Sequence, residues 1–274
     1  MTGRRFFKMS GSGNDFVVFD TRQQPAAELE GARVIAALCA RGSGVGADGV
    51  VFLEHSERDG AHVRMRYFNR DGSRAAACGN ATLCVTRLAV ELGAAPREGV
   101  RIESDTGILS ARVADGLPEV ELQPVRTVRP DAEIQLCPGE QRIGFALVGV
   151  PHLVVLCADA ERVDVMGRGA PLRSHASLGS SGANVNFVSR GPDMGPWTIR
   201  TYERGVEAET LACGTGAIAT SVLLHEWGES TAEASLLTRS GRRLTVKLER
   251  SADGWRPTLR GEARIVYLGE IGEV

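Results

Sequence analysis

One short signature occurs twice in the chain, and this repeat limits the folds that the chain can adopt. Ala77-Cys78-Gly79-Asn80-Ala81 returns about half a chain later as Ala212-Cys213-Gly214-Thr215-Gly216. Each copy opens a stretch with helical apolar periodicity, which runs to Gly93 in the first copy and to Gly228 in the second. A signature repeated with its context predicts two similar domains.

The repeat extends beyond the two cysteines and keeps its order. The pairs of segments are Gly13–Val18 with Gly149–Val154, Asp48–Val51 with Val185–Val188, and Arg66–Arg70 with Arg200–Arg204. We therefore expect an N-terminal domain at 1–122 that carries Cys78 and is completed by the last strand, 264–274. We expect a C-terminal domain at 123–263 that carries Cys213.

Strand patterns dominate both halves. Alternation at Val63, Met65 and Tyr67 and short apolar runs elsewhere predict strands, whereas helical periodicity is confined to Ala27–Ala40 and the two stretches after the signature cysteines. Many strands with one main helix in each half favour α+β domains over an alternating βαβ sheet.

Composition excludes several classes of protein. The net charge is −2 with 43% apolar and 24% charged residues, and no run of like charges suggests nucleic acid or a membrane surface as a partner. No segment is long and apolar enough to span a bilayer or to form a signal peptide, so we expect a cytoplasmic protein with reduced cysteines. Outside the signature, we expect the cysteines to be small buried hydrophobic residues: Cys39, Cys84, Cys137 and Cys157.

The signature has the chemistry of a catalytic thiol. A cysteine at a helix start lies beside unpaired backbone N–H groups and the positive end of the helix dipole, which favour the thiolate. The glycine after it lets a ligand approach the backbone, where the next N–H groups can hold a carboxylate. A single such cysteine would most simply be a buried residue at the start of a helix, with no catalytic role. Two matched copies, each with a polar pair upstream (Asn69-Arg70 and Glu203-Arg204), favour a site that works with both thiols.

The chain resembles the diaminopimelate epimerase family over nearly its whole length. The segments that carry the resemblance occur in the family's order: Phe7–Phe16, Gly44–Gly49, Phe68–Ser73, Cys78–Thr82, Pro151-His152, Asn184–Phe187, Tyr202–Gly205 and Glu209–Gly216. The resemblance implies two pseudo-symmetric domains, each a curled mixed β-sheet or barrel around a central helix, which face each other across a cleft.

The resemblance also implies the roles of individual residues. Cys78 and Cys213 would be the two bases of a cofactor-independent epimerase, one removing the Cα proton as a thiolate and the other returning a proton as a thiol. His152 and Glu203 would tune the pKa values of these cysteines. Backbone N–H groups of Gly79, Asn80, Gly214 and Thr215 would hold the α-carboxylate. Further positions that match the family's substrate-holding residues are Asn14, Asn69, Asn184, Glu203 and Arg204, with Arg204 on the distal carboxylate.

The function implied is interconversion of LL- and meso-diaminopimelate, in lysine and peptidoglycan precursor biosynthesis. Val150 and Gly49 replace an asparagine and a glutamine that family members often have, so substrate identity is less firmly implied than reaction type. A racemase of another amino acid, such as histidine, and a non-catalytic amino-acid-binding relative stay open. We expect a small diamino acid as ligand and leave a homodimer open.

Other mechanisms have less support. A pyridoxal-phosphate racemase needs a Schiff-base lysine, and the only lysines, Lys8 and Lys247, lie in no phosphate-binding context. The five histidines show no metal-ligand spacing, so no metal is expected. A disulfide between Cys78 and Cys213 would be an inactivated form and not a redox function.

Overall fold

The computed structural model describes residues 3–76 and 78–272, so Ala77 of the first signature lies outside the described residues. Contacts between Cα atoms divide the chain into two compact units. Unit 1 comprises Met1–Val120 with Arg260–Val274, and unit 2 comprises Glu121–Leu259. These limits lie close to those expected from the repeat.

Each unit consists mainly of strands, as the periodicity predicts. The helices are α1 (Ala32–Cys39), α2 (Gly79–Glu91), α3 (Val165–Arg173) and α4 (Gly214–Glu226). The strands are β1 (Arg4–Gly11), β2 (Asn14–Asp20), β3 (Gly49–Glu54), β4 (Val63–Asn69), β5 (Arg74–Ala75), β6 (Val100–Ser104), β7 (Gly107–Ala114), β8 (Leu117–Glu121), β9 (Val128–Arg129), β10 (Glu140–Val148), β11 (Val150–Cys157), β12 (Asn184–Ser189), β13 (Trp197–Glu203), β14 (Ala208–Thr210), β15 (Glu233–Leu237), β16 (Arg243–Ser251), β17 (Gly254–Gly261) and β18 (Ala263–Ile271).

Both units follow the same strand pairing. In unit 1, β2 is antiparallel to β1 and parallel to β3, β3 is antiparallel to β4, and β4 pairs with β5 and, in parallel, with β6. In unit 2, β11 is antiparallel to β10 and parallel to β12, β12 is antiparallel to β13, and β13 pairs with β14 and, in parallel, with β15. The predicted α+β class is confirmed, and both units repeat the same pattern of parallel and antiparallel strand pairs.

The register of these pairs corrects one part of the repeat read from sequence. The β2–β3 pair places Phe16 beside Gly49, and the β11–β12 pair places His152 beside Asn184. Phe16 and His152 occupy the same position in the repeat, so their register partners, Gly49 and Asn184, also correspond to each other. Two residues further along the same strands, Val51 corresponds to Asn186. The sequence comparison aligned Asp48–Val51 with Val185–Val188, which is wrong by two positions. A shift of two keeps every side chain on its own face, so the apolar pattern cannot detect it.

The helix after each signature cysteine is the buried centre of its unit. Ten of the thirteen residues of α2 are buried, and so are ten of the thirteen in α4. Helix α2 packs on strands β1, β4, β6, β7 and β18, and α4 packs on β10, β11, β12, β15 and β16. Both helices are therefore enclosed on most sides, whereas the sequence predicted only one apolar face for each.

Both central helices also end in the same way. Gly93 and Gly228 have positive φ values of 64° and 76°. At α2, Gly93 N–H donates to the Val90 carbonyl and Ala94 N–H to the Ala89 carbonyl. The corresponding bonds at α4 complete a second Schellman motif, so the predicted glycine stops are confirmed.

Helix α3 is a feature that the sequence did not predict. Its segment contains two glycines and Pro171 and has no apolar periodicity, and it begins where Asp164 accepts a hydrogen bond from Gly167 N–H. Helix α3 packs on β12 and β13, where a Cβ at Gly169 would lie 2.6 Å from Tyr202 Cβ. The close packing of α3 on the sheet therefore stabilises a helix that its own residues do not favour.

One pair of repeated residues is structural. Arg66 forms ion pairs with Glu30 and Glu54, and the hydrogen bonds that it donates to Glu30 first, and then to Glu54, raise its pKa against the opposing effect of burial. Its equivalent, Arg200, pairs with Glu209 and donates to the carbonyls before α3. Each arginine thus ties the loop that precedes an outer helix to the sheet of its own unit.

Candidate active site

Each signature cysteine caps the helix that follows it. Cys78 and Cys213 have extended backbone, with φ/ψ values of −146°/112° and −137°/108°, and their carbonyls accept the first helical hydrogen bonds from Thr82 and Ala217 N–H. Both cysteines are of intermediate burial. The first N–H groups of a helix have no partner within it, so each cysteine lies beside donors that can bind an anion.

The sulfur of Cys213 is held by its own helix. Gly216 N–H donates to Cys213 Sγ at 3.4 Å, and the Thr215 hydroxyl lies 3.5 Å from the same sulfur. The hydrogen bond from Gly216 N–H favours a negatively charged sulfur, because a thiolate is a stronger acceptor than a thiol.

A buried asparagine lies under this first turn of α4. A Cβ added at Gly216 would lie only 2.3 Å from Asn186 Oδ1 and 3.2 Å from Cys213 Cβ. Only glycine therefore fits at this position, and the glycine brings the start of α4 close to β12.

In unit 1 a chain of amides leads to the start of α2. Asn80 Nδ2 donates to Asn14 Oδ1 at 2.6 Å, and Asn14 Nδ2 donates to Asp48 Oδ2 at 3.1 Å. Asp48 also pairs with Arg41, which forms a second ion pair with Asp15. The structure thus brings together two predicted residues, Asn14 and Asn80, and adds Asp48, which sequence reasoning quoted within a motif but gave no role.

The structure gives Asn69 and Gly49 contacts with neighbouring residues of unit 1 that account for their presence. Asn69 Nδ2 donates to Ser73 Oγ at 3.0 Å in the turn after β4. A Cβ at Gly49 would lie 2.5 Å from Tyr67 Cε2, so this site has no room for the glutamine that family members often have. The Tyr67 ring fills that space.

The predicted residues of unit 2 gather at neighbouring strand ends. His152 and Asn184 are register partners, and Asn184 Oδ1 accepts a 2.8 Å bond from Arg204 N–H. Glu203 ends β13 directly before Arg204, whose guanidinium donates to the Ser181 carbonyl at 2.9 Å. His152, Asn184 and Arg204 therefore belong to one cluster.

His152 is fully buried and neutral. Burial, and secondarily the positive charge of Arg204, lowers its pKa to about 3. Its Nδ1 lies 3.2 Å from Asn186 Nδ2. Sequence reasoning missed Asn186 as a site residue, although Asn184–Phe187 was among the quoted motifs.

The shifted pKa of His152 predicts a loss of stability in acid. The unfolded chain takes up a proton near pH 6.5, whereas the folded chain does so only near pH 3, so stability falls as the pH falls between these values. We expect this histidine to cost about 3 kcal/mol at pH 4 relative to neutral pH. Urea unfolding of wild type and His152→Gln from pH 7 to pH 4 measures this, and equal slopes of unfolding free energy against pH would contradict it.

The remaining cysteines are buried, with one exception. Burial raises the pKa of Cys39 to about 11 and that of Cys157 to about 12, and it also raises the pKa of Cys84. Cys137 is exposed, so the prediction that it is a buried hydrophobic residue is wrong. It lies in the turn before β10, where an apolar neighbour, Leu136, is also exposed.

A family model described as "Diaminopimelate epimerase" matches residues 6–128 and 144–266. The chain belongs to this family. Proteins named diaminopimelate epimerase are similar over nearly full length. That of Gemmatimonas aurantiaca is 50% identical over 97% of this chain and 98% of its own, and that of Aquifex aeolicus is 37% identical over 98% of both chains. The resemblance predicted from the motifs is confirmed, and so is the prediction that the chain is an enzyme.

Solved structures support the fold. A phenazine biosynthesis protein of the PhzF family from Bacillus anthracis has a TM-score of 0.78 at 17% identity, over 99% of both chains. A hydroxyproline epimerase from Agrobacterium vitis, solved with trans-4-hydroxy-L-proline, has a TM-score of 0.72 at 19% identity, over 99% of this chain and 94% of its own. Within the described part of the chain, no helix has the length and apolar character needed to cross a membrane.

Proposed function

We propose that this enzyme interconverts LL- and meso-diaminopimelate by inverting one α-carbon, as the names of its relatives indicate for those proteins. The observation that carries the proposal is the pair of cysteines, each at the N-cap of a buried central helix and beside the N–H groups of its first turn. The reaction serves lysine and peptidoglycan precursor synthesis.

The mechanism uses two thiols on opposite faces of the substrate Cα. One of them, as thiolate, takes the Cα proton and leaves the electron pair on carbon, conjugated with the carboxylate. The other, as thiol, gives its proton to the opposite face, so the configuration inverts and the protonation states of Cys78 and Cys213 exchange. Backbone N–H groups at the starts of α2 and α4 stabilise the charge on the carboxylate as the carbanion forms. His152 and Glu203 adjust the protonation of the thiols.

Reaction in D₂O tests this mechanism. Because the removed proton stays on one sulfur while the other sulfur supplies deuterium, early product should carry deuterium at Cα while recovered starting isomer stays unlabelled. Proton NMR of LL- and meso-diaminopimelate at low conversion measures both pools. Equal labelling of substrate and product would contradict the two-base mechanism, and the absence of any exchange would contradict the function.

The same assay identifies the substrate. Family members often have polar side chains where this chain has Val150 and Gly49, and here the Tyr67 ring fills the space at Gly49. A panel containing diaminopimelate, other diamino acids and histidine therefore separates the proposed substrate from a related racemase. Binding of an amino acid without exchange would indicate a non-catalytic relative.

Arg204 is the proposed partner of the distal carboxylate, because its positive charge acts on His152 and a guanidinium forms bidentate pairs with carboxylates readily. We expect Arg204→Ala to lower kcat/KM for diaminopimelate by about 10²-fold, the loss of one charged hydrogen-bonded contact. Arg190→Ala, which removes a cation over the Trp197 ring, is a control of the same type. An unchanged kcat/KM in Arg204→Ala would show that this residue does not bind the substrate.

The enzyme works in the cytoplasm, where its thiols stay reduced. We also propose a homodimer. Strand β18 exposes three consecutive apolar side chains, Val266, Tyr267 and Leu268, with Leu268 68% exposed. A second copy of the chain would cover this strip. Sedimentation equilibrium should give twice the chain mass of 29.2 kDa, and a mass of one chain would contradict the dimer.

A further inference from the structure

His152 has one ring nitrogen in contact with the protein and one that is not. Nδ1 lies 3.2 Å from Asn186 Nδ2, whereas Nε2 has no hydrogen-bond partner among the described residues. The ring is fully buried, so solvent does not satisfy Nε2 either. A buried polar atom of this kind calls for a functional explanation.

The backbone fixes the amide of Asn186 in one orientation. Asn186 Nδ2 lies 3.0 Å from the Leu153 carbonyl oxygen, which can only accept a hydrogen bond. The amide must therefore turn its NH₂ group toward Leu153, because the reverse orientation would place two oxygens against each other. Its Oδ1 then faces Thr201 Oγ1, which donates to it at 2.9 Å.

This orientation decides where the proton of His152 lies. The same NH₂ group faces His152 Nδ1, so Nδ1 must accept a hydrogen bond and cannot carry a proton. A neutral imidazole with an unprotonated Nδ1 carries its hydrogen on Nε2.

We propose that Asn186 is a positioning residue that holds His152 as the Nε2–H tautomer, so that His152 offers a buried N–H donor to an anionic group of the bound substrate. The inference rests on the proposed function for the substrate, but the tautomer itself follows from unit 2 alone. His152 would then be a hydrogen-bond donor and not a general base, because its accepting nitrogen is already occupied.

The surroundings favour an anion at Nε2. An N–H group buried without an acceptor is costly, and a carboxylate satisfies it more strongly than a neutral group does. The positive charge of Arg204 acts on the same ring. A carboxylate of an amino acid fits both the donor and the charge.

Asn186 also connects this donor to the thiol. Its Oδ1 lies against Gly216, whose N–H holds the Cys213 sulfur. A shift of the Asn186 amide would therefore disturb both the His152 ring and the first turn of α4.

NMR of the wild-type enzyme labelled with ¹⁵N-histidine tests the tautomer without any substitution. Long-range ¹H–¹⁵N correlations distinguish a protonated from an unprotonated ring nitrogen, and the spectrum of His152→Gln assigns the His152 signals. We expect hydrogen on Nε2 and none on Nδ1 at pH 7. Hydrogen on Nδ1 in the wild type would overturn the proposal.

Two near-isosteric variants test which group sets the tautomer. Asn186→Asp replaces the NH₂ group by an acceptor, so we expect hydrogen on Nδ1 of His152 and a fall in kcat of about 10²-fold or more, as wrong-tautomer variants show elsewhere. Thr201→Val is the control, because the Leu153 carbonyl still orients the amide. We expect it to keep hydrogen on Nε2.

The outcomes separate this inference from the proposed function. An Asn186→Asp spectrum like the wild type, or a Thr201→Val spectrum with hydrogen on Nδ1, would contradict the positioning role. A wild-type enzyme with hydrogen on Nε2 but no exchange of any amino acid would remove the proposed function and leave the tautomer standing. On titration with diaminopimelate, an unmoved Nε2–H signal at saturation would show that this donor does not meet the ligand.

Discussion

Replacing either Cys78 or Cys213 by serine is expected to lower turnover of diaminopimelate by about 10³-fold or more while the fold is retained. A serine hydroxyl keeps the size of the side chain but is far less acidic than a thiol, so it can neither remove the Cα proton nor be held as an anion by the helix start. Epimerisation measured by chiral separation of the stereoisomers gives the effect. Far-UV circular dichroism and urea unfolding check the fold.

Cys137→Ser is the matched control for this prediction. It is the same chemical change at an exposed cysteine outside any helix start, and activity should stay at the wild-type level. Near-normal epimerisation by Cys78→Ser or Cys213→Ser would refute the two-thiol mechanism. Because each thiol has its own step, loss of either one should be as damaging as loss of both.

Gly216→Ala is expected to have a large effect although it adds one methyl group. The new Cβ would meet Asn186 Oδ1 at 2.3 Å, so either the first turn of α4 or the buried amide must move. We expect a loss of about 1–3 kcal/mol of stability from overpacking and a fall in kcat of about 10²-fold, because the Cys213 sulfur and the His152 ring both depend on this contact.

Two further variants test whether the contact between Gly216 and Asn186 causes the expected loss. Gly99→Ala introduces the same methyl group where no atom lies within 4 Å, and it should be neutral. Combining Asn186→Ala with Gly216→Ala removes the clash, so the double variant should lose less stability than the two single losses added together, without recovering activity. Strict additivity of the two losses would show that the predicted contact is not the cause.

Features with a local cause could be predicted from the sequence. The helix starts at Cys78 and Cys213 and the stops at Gly93 and Gly228 follow from capping chemistry, and the duplicated signature predicts two similar units. The candidate residues of unit 2 also cluster because their motifs lie at the ends of adjacent strands.

Features that depend on packing between distant segments could not be predicted. Helix α3 forms because Gly169 lets it pack close to Tyr202, which no periodicity in its own segment indicates. The role of Asn186 depends on the Leu153 carbonyl and the Thr201 hydroxyl, which come from the two neighbouring strands. The two-residue shift in the repeat was hidden because it preserves the alternation of faces.

The repeat in this enzyme preserves the helix start but not the residues behind it. Where one unit has His152 and Asn186 on adjacent strands, the register gives the other Phe16 and Val51. One unit therefore has an imidazole where the other has a phenyl ring, and a protein made from two copies of either half alone would lack one of these two environments.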